Sequence, residues 1–204
     1  MKLLPGVLFF SVCAVATTAG RKPVVVAPCD CQSKSGEKRW AAKTDAELPP
    51  VNTAAVLRIT PAEMCAWEVP AKPVTGVRNA AEQKWYALVC RIVAIKLEKD
   101  GDLHIEVENV AGSSGRVVVE LPCGPAWCEM RRHVVEWTKG SLLKSGRLEP
   151  VSPHNVTVIG KAFYDLDHER GGKNERSGKT HVAVWEIHPV MKVIDGDAKL
   201  GSGF

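Results

Sequence analysis

The sequence predicts a mainly β fold, a five-stranded barrel preceded by an irregular N-terminal extension. Three observations predict it: five runs rich in β-branched residues, one helix-like run between the third and the fourth, and an Asp-Gly pair between the first two. The strand runs are Trp85–Leu97, Leu103–Asn109, Arg116–Leu121, Val156–Tyr164 and Val182–Ile194, and the helical run is Ala126–Lys139. The order β-β-β-α-β-β is that of the oligonucleotide/oligosaccharide-binding (OB) barrel.

A hairpin joins the first two predicted strands. Trp85–Leu97 ends shortly before Asp100-Gly101, and glycine tolerates the positive φ that a tight hairpin turn requires. Leu103–Asn109 then alternates apolar and polar residues, as a strand with one buried face does.

The remaining barrel elements carry their own signals. Pro122 ends the third strand, because proline cannot donate a hydrogen bond within a sheet. The helical run has an apolar stripe through Met130, Val134 and Trp137, which predicts that it plugs one end of the barrel. Gly160, inside the fourth strand, indicates a bulge or a sharp bend.

The N-terminus has the pattern of a secretory signal over residues 1–19. Lys2 precedes the short apolar run Leu3–Val15, and small residues follow, with a cleavage point predicted after Ala19. A buried N-terminal strand or helix is the alternative. Lipoprotein anchoring at Cys13 is not expected, because the residue before it, Val12, is not small. We therefore expect export to the periplasm or the exterior.

The mature chain divides into three predicted parts. Residues 20–82 form an extended segment with a short helix near 61–67, residues 83–194 the barrel, and residues 195–204 a tail. Thr60, Pro61 and Glu63 have the spacing of a capping box at a helix start. No run after the signal is apolar for the roughly 20 residues of a membrane span, so no transmembrane segment is expected.

Cysteine usage is consistent with an oxidising compartment. Cleavage of the signal leaves six cysteines, an even number that favours disulfides in an exported chain. The candidates are Cys29, Cys31, Cys65, Cys90, Cys123 and Cys128. The sequence does not choose among their pairings, although Cys29 and Cys31 are too close in sequence for an unstrained bond between them. A zinc site is weakly supported, because no second close pair has the usual spacing.

Charge and motifs give no specific support to several classes of function. The formal net charge is only +4, and a dedicated nucleic-acid binder usually has a clustered basic stripe. The sequence contains no internal repeats, no phosphate-binding glycine loop and no Gly-x-Ser-x-Gly motif.

Polar side chains on the predicted strands and on the polar loop Asp165–Thr180 form the candidate site. Its members are His104, Glu120, Asp165, His168, Glu186 and His188, with Asp102 beside the first hairpin. Histidines and carboxylates can bind a divalent metal or transfer protons. They also serve structural roles, because a buried polar group needs a partner. The structural interpretation is favoured, with neither a resident metal nor a cofactor expected.

Four short motifs occur in one order along the chain. They are Asp100–His104, Val119–Pro122, Gly160–Asp165 followed by Asp167-His168, and Trp185–Val190. Together they resemble a family of uncharacterised bacterial exported proteins with the pattern Asp-Gly/Ser-Asp-x-His, Glu-x-Pro, Gly-x-x-Phe-Phe/Tyr-Asp-x-x-His and Glu-Leu/Ile-His-Pro-Val. The resemblance implies an OB-like barrel and brings no activity with it. The chain departs from the pattern by a longer insertion between His168 and Glu186 and by additional cysteines.

The sequence therefore favours a secreted or periplasmic, non-enzymatic binding or structural module. Candidate partners are an oligosaccharide, a nucleic acid or an envelope protein. The alternative is a metal-dependent hydrolase of a nuclease-like kind that uses the histidine and carboxylate cluster. An enzyme would bring these side chains together at one solvent-reachable point.

Overall fold

A closed barrel of five strands forms the centre of the computed structural model, which describes residues 29, 38–71, 76–112, 115–137, 146–179 and 181–197. The predicted signal, with Cys13 and the cleavage point, lies outside the described residues, as do Cys31 and residues 198–204 of the tail. The strands are β1 (Val56–Ile59), β2 (Trp85–Leu97), β3 (Leu103–Glu108), β4 (Arg116–Leu121), β5 (Glu149–Tyr164), β6 (Glu169–Arg170), β7 (Lys173–Arg176) and β8 (Val182–Asp195). The α-helices are α1 (Trp40–Lys43), α2 (Pro61–Cys65) and α3 (Cys128–Glu136), and short 3-10 turns span Thr53–Ala55 and Pro125–Trp127.

The barrel closes through the pairing of β2 with β5. Antiparallel pairs join β2 to β3, β3 to β4 and β8 to β5, whereas β4 and β8 run parallel. With α3 between β4 and β5, the order β2-β3-β4-β8-β5 is that of an OB barrel, and the predicted fold class is confirmed. Among the described helices, none has the length and apolar character needed to cross a bilayer.

The inward faces of the barrel strands form the hydrophobic core. Leu103 and Ile105 of β3 and Val119 of β4 are fully buried there. Val134 of α3 packs against the same core, with Trp137 beside it. The helix therefore plugs one end of the barrel as predicted, although it begins at Cys128 after a 3-10 turn.

β5 is longer than predicted and begins at Glu149 instead of Val156. Pro150 and Pro153 indicated a loop, yet this half of β5 pairs with β2, for example Pro150 with Ala94. Pairing of β5 with β8 begins only at Val156. The prolines thus lie where β5 has one free edge, and proline is tolerated on an edge.

The described part of the N-terminal extension is more ordered than its composition indicated. β1 adds to the barrel as a parallel neighbour of β2, with Val56 opposite Trp85. Four residues without clear alternation gave no strand signal, so this pairing depends on the tertiary fold. The helix predicted near 61–67 is α2, and Thr60 and Glu63 form the expected capping box.

Only part of the predicted disulfide framework forms. Cys29 is bonded to Cys128, and Cys123 is also disulfide-bonded. Cys65 and Cys90 are free thiols, so their assignment as disulfide candidates is wrong. Cys90 is completely buried in the barrel core, and Cys65 donates to the carbonyl oxygen of Arg116 at 3.5 Å. Cys90 behaves as a small apolar residue, which is common for a buried cysteine, whereas Cys65 is only partly buried.

Candidate functional site

The outer face of the barrel at β3, β4 and β8 carries the candidate site. Successive side chains of a strand point to opposite faces, so His104, Glu120, Glu186 and His188 point away from the core. The strand register places His104 opposite Glu120 and Val118 opposite Glu186. These four polar residues are at most 9% exposed, and α1 and β7 pack against β8, the strand that carries Glu186 and His188.

His188 lies among three carboxylates. Its Nδ1 is 3.1 Å from both Glu186 Oε1 and Glu120 Oε2, and its Nε2 is 3.5 Å from Asp102 Oδ2. Burial alone would lower the pKa of His188, but the three carboxylates outweigh it and hold the pKa well above its usual value. The imidazole therefore carries a positive charge that balances part of the buried negative charge.

Glu120 connects His188 to a second histidine. Its Oε1 is 3.0 Å from Nδ1 of His104, which also lies 3.4 Å from Glu98 Oε1. Burial would raise the pKa of Glu120, but the hydrogen bonds to His104 and His188 hold it well below the ordinary glutamate value. Glu120 is therefore an ionised carboxylate shared by two imidazoles.

Arg176 joins the barrel network to the loop before β6. Its guanidinium binds Glu186 and, at 3.1 Å, Asp165 Oδ2, and it is 4% exposed. Asp165 Oδ2 in turn lies 2.5 Å from Nδ1 of His168. Burial, followed by the charge of Glu120, raises the pKa of Glu186 in spite of the arginine. The network thus runs from the interior to His168, which is exposed.

Asp102 is held by the segment that follows β4, and Arg131 of α3 fixes the backbone around it. Its Oδ1 accepts the backbone N–H of Cys123 at 2.8 Å. Arg131, completely buried, donates to the carbonyl oxygens of Gly101 at 2.6 Å and Leu121 at 2.8 Å. Burial lowers the pKa of Arg131 to about 10, against the attraction of Asp102. The β2–β3 hairpin and the end of β4 are thereby fixed together.

A cavity of about 220 Å³ lies between α1 and the turn after β5. Lys43, Phe163 and Asp165 line it, and the Lys43 ammonium is 5.5 Å from the centre of the Phe163 ring. Burial would lower the pKa of Lys43, but the charges of Glu186, Glu120 and Asp165 raise it. The ammonium makes no hydrogen bond to any residue that the structure describes.

α1 is fixed beside this cavity by a buried ion pair. Arg39 donates to both carboxylate oxygens of Glu82 at 2.8 Å, and Glu82 is completely buried. Glu82 also accepts the backbone N–H of Tyr164 at 2.8 Å. The pair therefore connects α1 to the end of β5 and sets the position of Lys43.

All six predicted site residues belong to one connected network, but they do not meet at an open surface. His168 alone is exposed, and the contacts around His188 are sealed within the protein. Arg176 and Lys43 were missed. Arg176 was one of several cations in a polar loop, and nothing in the sequence near Lys43 indicates its contacts. Two sets have ligand atoms within 4.8 Å of one another and could hold a metal: Glu98, His104 and Glu120; and Asp102, Glu120 and His188.

Comparison with known proteins finds no relative of this chain. No family model, no curated protein and no solved structure matches the chain. The class that the fold and the site define is an OB-type barrel with a buried histidine–carboxylate network on its outer face. The motif resemblance to bacterial exported proteins stays a prediction.

Proposed function

We propose that the protein is an exported, non-enzymatic binding module that holds one sugar unit of an oligosaccharide in the cavity between α1 and the turn after β5. The observation that carries the proposal is the position of this cavity. OB barrels bind ligands on the face of their second and third strands and at the loops that flank it. Of these elements, the loop between the fourth and fifth barrel strands, β5 and β8, lines the cavity with Asp165, Leu166 and Asp167, whereas no described residue of β3 or β4 does.

The cavity lining has the chemistry of a sugar site. Lys43 supplies a donor and Asp165 an acceptor, Lys38 and Asp167 add a donor and an acceptor that are paired with each other at 2.6 Å, and Leu166 contributes apolar surface. A sugar ring needs all three, since its hydroxyl groups donate and accept while its C–H face is apolar. A nucleic-acid strand is less suited, because the carboxylates beneath Lys43 repel phosphate and no run of unpaired cations lines the described part of the cavity.

A metal-dependent hydrolase is the second candidate, and the convergence of the predicted residues is the observation that favours it. Asp102, Glu120 and His188 could hold an ion that activates water. Their burial counts against it, because a substrate bond has to reach the metal, and His188 is completely buried.

Export is proposed from the signal pattern together with the Cys29–Cys128 disulfide, since such bonds persist in oxidising compartments. Mass spectrometry of the mature protein is expected to show an N-terminus at Gly20. Retention of residues 1–19 would contradict the proposal.

Binding is tested with an array of bacterial envelope oligosaccharides, followed by calorimetry with the best ligand. Lys43→Met is expected to weaken binding by about tenfold or more, as loss of one charge-assisted hydrogen bond does. Lys84→Met is the matched control, because Lys84 is exposed and outside the cavity. Absence of binding across the array, or equal losses in both variants, would overturn the proposal.

The hydrolase is tested on the same ligand and on a single-stranded oligonucleotide, each incubated with Zn²⁺ or Mn²⁺ and separated by chromatography. The binding module is expected to leave both intact. Cleavage that disappears in Glu120→Gln would establish the hydrolase instead.

A further inference from the structure

We propose that Asp102, Glu120 and His188 form a binding site for one zinc-like divalent ion inside the network. This site is separate from the sugar cavity, so it goes beyond the proposed function and does not depend on it. One ligand atom from each of the three residues lies within 4.8 Å of the others.

Unsatisfied nitrogen atoms point to a missing partner in the network. Nε2 of His188 is completely buried and has no hydrogen-bond partner, and the same holds for Nε2 of His104. The nearest acceptor to His188 Nε2 is Asp102 Oδ2 at 3.5 Å, which is too long for a well-formed hydrogen bond. A buried donor or acceptor without a partner is costly, and a metal bound to Nε2 would remove that cost.

The 3.5 Å separation suits two ligands of one ion. Zinc bonds to imidazole nitrogen and carboxylate oxygen are about 2.0–2.2 Å, so ligand atoms of a tetrahedral site lie about 3.3–3.6 Å apart. A nitrogen and two carboxylates favour zinc and its neighbours over calcium and magnesium, which prefer oxygen ligands alone.

The three ligands already have the supporting contacts that metal sites use. Nδ1 of His188 is 3.1 Å from Glu186 Oε1, and Arg176 binds that carboxylate in turn. A histidine that ligates through one nitrogen commonly donates its other N–H to a carboxylate. Glu120 is held by His104 at 3.0 Å, and Asp102 by a backbone N–H.

The local charge also leaves room for a cation. Asp102, Glu120, Glu186 and Asp165 are carboxylates of the network, and Asp100 and Glu98 lie beside it. The permanent cations near them are Arg176, Arg131, Lys43 and Lys96. Carboxylates outnumber these cations, and an ion on Nε2 of His188 would replace the proton of that nitrogen with a divalent charge.

The experiment loads the full chain with its disulfides intact. The protein is unfolded in denaturant without reductant, refolded with Zn²⁺ or with a chelator, dialysed, and assayed by elemental mass spectrometry. The zinc-refolded wild type is expected to retain one zinc per chain and to melt at a higher temperature than the chelator-refolded protein. Retention of no zinc would overturn the proposal.

Three variants locate the ion. Asp102→Asn is expected to lower zinc affinity about a hundredfold, as loss of a supporting or direct ligand can. Glu106→Gln is the matched control, a buried carboxylate on the same face of β3 that is paired with Arg116 and Lys179. Glu98→Gln tests the overlapping set of Glu98, His104 and Glu120, and is also expected to retain the ion. Loss in Glu98→Gln with retention in Asp102→Asn would overturn the assignment.

X-ray absorption of the zinc-loaded wild type provides a test that needs no variant to fold. A shell of oxygen and nitrogen at about 2.0–2.2 Å with one imidazole is expected. Sulfur in the shell would place the ion on cysteine and contradict the site. Failure of sugar binding would leave this result unchanged, so the two proposals fail separately.

Discussion

At the residue scale, His188 holds together carboxylates that would otherwise repel one another. Its ring lies between Asp102, Glu120 and Glu186, and all four side chains are nearly or fully buried. Buried ion pairs contribute little net stability when intact, but removal of one partner leaves an uncompensated charge. The contribution of His188 to stability is therefore measured best by removing its side chain.

We expect His188→Ala to lower the free energy of unfolding by about 3–5 kcal/mol, because the substitution leaves the buried carboxylates without the positive charge of the imidazole. Urea denaturation near neutral pH measures the change. His133→Ala is the control, since His133 is about half exposed and its loss should cost within about 0.5 kcal/mol. Equal effects in the two variants would contradict the role given to His188.

The His168–Asp165 pair, at the surface end of the network, makes a contribution to stability that depends on pH. The hydrogen bond to Asp165 raises the pKa of His168 above its ordinary 6.5. A raised histidine pKa stabilises the fold fully below the unfolded value, and that stabilisation is lost as the pH rises through the folded value. His168 is half exposed, so solvent screening keeps the effect small.

Wild type should therefore exceed His168→Gln in stability most clearly below pH 6.5, and the difference should shrink as the pH approaches 9. Melting temperatures of both proteins from pH 5.5 to 9 measure this. A difference that grows with rising pH would show that His168 is not stabilised as a cation by Asp165.

At the element scale, β5 and β8 meet too closely for a side chain at Gly160. The register between them shifts on both sides of this residue, so the bulge indicated by the sequence is present. A Cβ added at Gly160 would lie 2.4 Å from the carbonyl oxygen of Pro189 and 2.5 Å from Ile187 Cγ2. The glycine is required by close approach of the two strands.

Gly160→Ala is expected to cost about 1–3 kcal/mol, the usual cost of overpacking, because the backbone of β8 must move. Chemical denaturation measures it. Ser152→Ala, at an exposed position of the same strand, should change stability by less than about 0.5 kcal/mol. A neutral Gly160→Ala would mean that β5 and β8 can separate without cost.

The barrel strands could be predicted from sequence because their signals are local. Alternation of apolar and polar residues predicted β3, and a capping box predicted α2. The Asp-Gly pair predicted the hairpin that joins β2 to β3. β1 and the first half of β5 could not be predicted in this way. Each forms a strand only because it pairs with β2. A local sequence pattern does not predict that pairing.

At the scale of the whole molecule, the site too could be predicted from the sequence only in part. Strand alternation predicted that His104 and Glu120 lie on one face of the sheet, and the observed register places Glu120 beside His104 and brings Glu186 to the same region. Their burial could not be predicted, because it depends on α1 and on Arg176 from the β6–β7 hairpin. These contacts join distant parts of the chain, so local sequence patterns cannot predict them.

The Cys29–Cys128 disulfide spans a sequence separation of 99. Closing a long loop reduces the entropy of the unfolded chain, so the double variant Cys29→Ser/Cys128→Ser is expected to lose about 2–4 kcal/mol. Denaturation under non-reducing conditions measures the loss. Cys65→Ser is the control because Cys65 is a free thiol, and a similar loss there would show that the cross-link is not responsible.

The parallel contact between β4 and β8 affects the order in which the protein can fold. His104 and Glu120 come from adjacent strands and are 16 positions apart, whereas Arg116 pairs with Val182, 66 positions away. Closing the longer loop costs more entropy, and non-local pairing of this kind is slow. We therefore expect the His104–Glu120 half of the network to form early and His188 to join it only when the last strand docks. In that order, Glu120 and Asp102 would stay hydrated until β8 closes the barrel.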